Sequence, residues 1–155
     1  MITAEEVLEH KGSKIVSVDN DAIVLEAIEK MVANKIGAVS ITENNEIIGI
    51  WTERDFLRNS VIEGFDIKTT KVRDCTLSKL HRMPHTANLL ELESAFLGFY
   101  SRYLFITKDD IIIGLISSGD LMKTHLNKQK EEVDKLKSYV SMEYYENWSW
   151  DAKKK

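Results

Sequence analysis

Gly49-Ile50-Trp51-Thr52-Glu53-Arg54-Asp55 returns as Gly114-Leu115-Ile116-Ser117-Ser118-Gly119-Asp120, 65 positions later (114 − 49 = 65). The same displacement pairs Ile41 and Thr42 with Ile106 and Thr107, Ile47 and Ile48 with Ile112 and Ile113, and Leu25 and Glu26 with Leu90 and Glu91. Val7, Ser13, Lys14 and Ala22 meet Val72, Ser78, Lys79 and Ala87 without a gap. A repeat longer than one solenoid coil that occurs only twice predicts two α/β lobes packed about a pseudo-twofold axis rather than an array. The function is then expected where the lobes meet.

At 155 residues the chain suits one domain or two mutually dependent halves. Hydrophobic residues make up 43% and charged residues 30%, and seven Gly with one Pro leave no low-complexity linker. The net charge of −4 and a pI near 5.6 disfavour nucleic acid and anionic membranes, since both require a basic face. A single cysteine, Cys75, excludes an intramolecular disulfide and a cysteine-rich metal site, and is read as a small core or linker residue. Met1 to Lys14 lacks the apolar run of a signal peptide, and no stretch reaches the length of a membrane span, so a cytoplasmic protein is expected.

Within the first repeat, Lys14 to Val18 reads as extended, and Asp19, Asn20 and Asp21 offer capping groups to a helix over Ala22 to Asn34. Ile23, Ala27, Ile28, Met31 and Val32 form its apolar stripe, and Gly37 is expected to close it. Ala38 to Thr42 and Ile47 to Trp51 read as a hairpin about Glu43 to Glu46, after which Thr52 caps a helix that buries Phe56, Leu57 and Val61. The second repeat follows the same β-α-β-β-α order. Leu80 to Met83 is extended, Ala87 to Phe99 helical, Tyr103 to Thr107 and Ile111 to Ile116 a hairpin, and Gly119 to about Leu126 helical. There Leu92 and Glu93 disturb the pattern of Ala27 and Ile28. Thr3 to His10 is a short leading helix. The units are therefore 1–64, 65–126 and an extension, 127–155, in an α/β (α+β) fold.

The extension places Val133, Leu136 and Val140 on one helical face, followed by Tyr139, Met142, Tyr144, Tyr145, Trp148 and Trp150. Such aromatics fold back on the module, seal a homodimer or dock a partner.

Each motif ends with a hydroxyl residue at a strand-to-helix junction and an aspartate three residues on. A helix N-terminus favours an anion, and a carboxylate one turn in can accept both hydroxyls of a ribose. Thr52 with Asp55 and Ser117 with Asp120 thus suit a ribose phosphate. The same spacing is also a capping box that needs no ligand, and spacing alone does not choose between them.

From about Val7 to Leu126 the chain resembles a tandem pair of cystathionine β-synthase (CBS) domains, a Bateman module. The likeness is carried by Lys35-Ile36-Gly37-Ala38-Val39 and by Gly49 to Arg58, with the second motif in register. It implies two clefts between the repeats, frequent dimers, and regulatory binding of adenosine compounds. Carried over by position, Thr52 and Ser117 would meet ribose or phosphate, and Asp55 and Asp120 the ribose hydroxyls. The base would lie against Ile15, Val16 and Ser17 or against Leu80, His81 and Arg82, with Gly37, Ala38 and Val39 or Arg102, Tyr103 and Leu104 lining the cleft. Gly37 and Ala38 occupy positions that are basic in some members. Arg54 would supply that charge in one cleft and Arg102 in the other, unless both are solvated surface charges. Tyr103 would stack on a base or block its pocket.

No nucleophile elbow, P-loop or acid/base dyad is present, and Pro84 interrupts the His81 and His85 pair as a metal motif, so catalysis is not expected. The expectation is a homodimeric sensor with no required cofactor that binds AMP, ADP or ATP and acts on an unidentified protein effector. S-adenosylmethionine or NAD are alternative ligands. A module with degenerate clefts that works by dimerisation and tail docking is the alternative class.

Overall fold

The two hairpins turn on Asn44-Asn45 and Asp109-Asp110, all four residues having positive φ (50°, 65°, 50° and 64°). These are the short-side-chain residues that tolerate the left-handed region, and two in succession give a turn matched to strand twist. The computed structural model describes residues 1–75 and 77–152, with side chains placed as far as Met142.

Helix α1 (Ala4–Lys11) precedes β1 (Ser17–Asp19), α2 (Val24–Asn34), β2 (Ala38–Glu43), β3 (Glu46–Thr52) and α3 (Glu53–Ser60). A single 3-10 turn, Val72–Asp74, leads to β4 (Arg82–Pro84), α4 (Leu89–Phe99), β5 (Tyr103–Lys108), β6 (Ile111–Ser117) and α5 (Ser118–Ala152). Each repeat forms a three-stranded sheet in which the first strand is parallel to the second and the second antiparallel to the third. The duplication extends to irregularities. Both hairpins shift register at equivalent places, Ile41/Thr42 and Ile106/Thr107, and Thr42 and Thr107 donate to the Val18 and Met83 carbonyls.

The lobes exchange their leading segments. Helix α1 packs on the second lobe, where Ala4, Val7 and Leu8 join Leu92, Leu104 and Ile116, and the Ala4 amide bonds the Ala87 carbonyl at 2.8 Å. Residues 65–75 pack on the first lobe, where Val72 and Cys75 join Val24, Ile41 and Trp51, and the Val72 amide bonds the Ala22 carbonyl at 2.9 Å. A third core of Ala38, Ile50 and Phe105 holds the two sheets together. Burial, with lesser contributions from Asp74 and Asp55, pushes the Cys75 thiol up.

Several local expectations change. Lys35, not Gly37, closes α2 in the left-handed region (φ 53°), and Tyr100 does the same for α4 (φ 50°). Ile23 is the N-cap of α2 and, with a hydrocarbon side chain, accepts no capping bond; the Val24 and Leu25 amides donate instead to the Thr70 and Ile67 carbonyls. Asp19 instead accepts from the Asp21 amide. Val32 on α2 is exposed, and so are Leu57 and Val61, since α3 turns Asp55 and Asn59 inward instead. Leu92 is fully buried and fits the pattern it was expected to disturb. The helix expected to stop near Leu126 continues without a break into the extension. Tyr144, Tyr145, Trp148 and Trp150 lie outside the described side chains.

Candidate functional site

Thr52 ends β3 and begins α3 because its hydroxyl accepts the Asp55 amide at 3.2 Å while Asp55 Oδ2 accepts the Thr52 amide and hydroxyl, each at 3.0 Å. Ser117 and Asp120 repeat the arrangement at 3.2, 2.8 and 2.7 Å. Both motifs are therefore capping boxes, the local role that the spacing allowed. The first residue of each helix is also engaged: the Glu53 amide donates to the Gly37 carbonyl and the Ser118 amide to the Arg102 carbonyl, both at 3.0 Å.

Beside Thr52 a cavity of about 310 Å³ opens between the repeats. From the first repeat come Gly37, Ile50, Thr52, Glu53, Arg54 and Arg58. The connecting segment and second repeat supply Leu77, Ser78, Lys79, His81 and Phe99 to Tyr103. Four permanent cations, Arg54, Arg58, Lys79 and Arg102, line it against one carboxylate, Glu53. Its wall includes the His81 ring stacked on Phe99, with centroids 4.4 Å apart and planes within 12°. The cavity thus combines an aromatic wall, a cationic rim and a helix start, a combination suited to a flat ring joined to an anion.

Gly37 lets Tyr103 approach closely, since a methyl there would lie 2.6 Å from the Tyr103 hydroxyl oxygen and the phenol would have to shift. Burial, and then the nearby Glu53 carboxylate, hold the Tyr103 phenol above its ordinary pKa, so it remains a neutral donor.

Arg54 and Arg102, expected in opposite clefts, line this same cavity because it draws one wall from each repeat. Their equivalents in the other half are Gly119 and Gly37, so arginine is concentrated at the Thr52 side. His81 and Tyr103 are brought here too. Ile15, Val16 and Ser17 line no part of this cavity, nor do Leu80 and Arg82. Leu80 packs beside the core between the sheets, and Arg82 is exposed. Val39 and Leu104 are fully buried in their lobes' cores and Ala38 in the core between the sheets, so their side chains lie away from the cleft. Arg58, Lys79 and Phe99 were not anticipated as site residues. The repeat pairs Lys79 with Lys14, but local spacing assigns that lysine no role.

The aspartates are occupied. Asp55 is 1% exposed, and its carboxylate also accepts from Ser78. Asp120 is reached from α1 by the Lys11 ammonium at 2.5 Å, which also donates to the Leu115 carbonyl at 2.6 Å. Partial burial pushes the Asp120 carboxyl up, but hydrogen bonds from Lys11 and Ser117 outweigh it and leave the pKa below its ordinary value. His85 pairs with Glu5 at 2.9 Å, and among the described residues no group of three or more His, Cys, Asp or Glu is placed to hold a metal. No described helix is long and apolar enough to cross a membrane.

Comparison with known proteins gives a consistent result. The family profile of the CBS domain matches residues 3–61. The chain is 27% identical over 151 residues to the CBS domain-containing protein CBSX3, mitochondrial, of Arabidopsis thaliana, a match covering 92% of this chain and 73% of that one. A CBS-domain crystal structure is 31% identical, with a TM-score of 0.74 over 81% of this chain and 99% of the other. A CBS-domain protein from Burkholderia ambifaria is 29% identical, with a TM-score of 0.77 over 83% and 96%.

Proposed function

The chain belongs to the CBS-domain family, and on that footing we propose that it is a noncatalytic regulatory module that binds an adenosine nucleotide in the cleft beside Thr52. The observation that carries this reading is the gathering of Arg54, Arg58, Lys79 and Arg102 from both sides of one interlobe cavity whose wall holds the stacked His81 and Phe99. The base packs by this aromatic pair, the phosphate meets the cationic rim, and Thr52 contacts the ribose or phosphate. Asp55 reads the ribose only if a ribose hydroxyl replaces that of Ser78. Because Arg102 and Arg54 belong to different repeats, a phosphate between them favours one lobe arrangement over another. Only such differential affinity makes a ligand a signal.

Adenosine monophosphate is the first choice, since one phosphate suffices for the rim, and ADP, ATP, S-adenosylmethionine and NAD are the comparison ligands. Thermal unfolding with each near millimolar tests the reading. A micromolar ligand at that excess adds roughly 3 to 4 kcal/mol and raises the midpoint by several degrees. The shift should fall by roughly a third in Arg102→Ala, as a tenfold loss of affinity requires. No shift with any of the five would overturn the nucleotide reading and leave a module with degenerate clefts, a reading favoured by the saturation of the Asp55 carboxylate by protein donors.

A further inference from the structure

Helix α5 leaves the body of the protein within its first turns. Leu121 is buried and Thr124 and His125 are half-buried, whereas every residue from Leu126 to Met142 is exposed. Helices without tertiary support are marginal in water, so a long bare one calls for a partner.

Five of its exposed apolar side chains follow alternating steps of four and three, Met122, Leu126, Val133, Leu136 and Val140, which are 66%, 59%, 47%, 63% and 67% exposed, while Tyr139 and Met142 lie off this series. Gln129 is the polar member of the series. In heptad terms Leu126, Val133 and Val140 take position a, and Met122, Gln129 and Leu136 take position d. At 3.6 residues per turn this seam lies about 100° around the helix from Leu121, so the lobe that buries Leu121 does not cover it.

The flanking residues identify the occupant. Positions e are Lys123, Lys130 and Lys137, and positions g include Glu132. In a parallel pair, Glu132 of one chain faces Lys137 of the other, twice by symmetry. In an antiparallel pair the lysine row faces itself and is repelled. Valine at two a positions with leucine at the intervening d favours two strands. We propose that α5, from Met122 to Val140, pairs with the same helix of a second copy as a parallel, in-register two-stranded coiled coil. The pairing is independent of the nucleotide cleft.

Single cysteines at Val133 (position a) and Ser138 (position f) in the full chain test this, with mild oxidation read on a nonreducing gel. Unsubstituted protein is the control for Cys75, which is buried. Val133→Cys should convert most chains to covalent dimers and Ser138→Cys only a trace. Adding Leu136→Glu to Val133→Cys should reduce linking at least tenfold. Glu132→Lys should slow linking, and adding Lys137→Glu should restore it, a rescue that requires parallel strands. A protein that sediments as a monomer, equal linking at positions 133 and 138, or absence of rescue by the charge swap would overturn the proposal.

Discussion

The Ser78 hydroxyl oxygen lies 3.0 and 2.8 Å from the two carboxylate oxygens of Asp55, joining the connector between the repeats to the buried acid of the first motif. Lys11 holds Asp120 from the other leading segment. In each half, a residue near the start of one repeat thus engages the motif of the other, and the aspartates that a ribose would contact already help to fix how the lobes sit.

This arrangement separates stability from binding at Asp55. Asp55→Ala removes the α3 capping box and leaves the Ser78 hydroxyl unpaired, and should cost about 2–3 kcal/mol in urea unfolding. Ser78→Ala should cost about 1 kcal/mol and tighten nucleotide binding several-fold, because the ribose no longer competes for the carboxylate. Unchanged affinity in titration calorimetry would remove Asp55 from the ribose site.

Charge at the rim should act on phosphate alone. Arg54→Ala and Arg102→Ala are each expected to weaken AMP binding about tenfold, equivalent to about 1.4 kcal/mol, and to leave adenosine binding nearly unchanged. The AMP affinity should fall with added salt, less steeply in each variant.

The Lys11 and Asp120 pair gives a pH dependence of defined sign. Asp120 titrates lower in the folded chain than unfolded, so its stabilising contribution is present above the ordinary aspartate pKa and is lost as pH falls through the depressed value. Lys11→Met should therefore flatten the acid limb of stability below about pH 4, measured by urea midpoints across that range. An unchanged limb would show that the ion pair does not stabilise the fold.

The hairpin turns are strained at nonglycine residues. Asn45→Gly and Asp110→Gly should each stabilise by roughly 0.5–1 kcal/mol, because glycine adopts positive φ without a Cβ clash. The same change at Ser101, outside those turns, should bring no such gain in a thermal melt.

By itself the sequence determined the duplication, the β-α-β-β-α order, the hairpins and the caps at Thr52 and Ser117, because these depend on local spacing and turn chemistry. The family likeness added the expectation of a cleft between repeats. Tertiary structure decided which residues share that cleft. Arg54 and Arg102 look like members of separate sites while each repeat is read alone, and they line one cavity because the lobes pack face to face. It also decided that Leu57 and Val61 stay exposed while Asp55 and Asn59 turn inward, since periodicity marks an apolar face but not whether a neighbour covers it. The exchange of α1 and residues 65–75 between lobes was equally beyond local reading, because contacts so distant in the chain leave no periodic trace and follow only from how the two sheets meet.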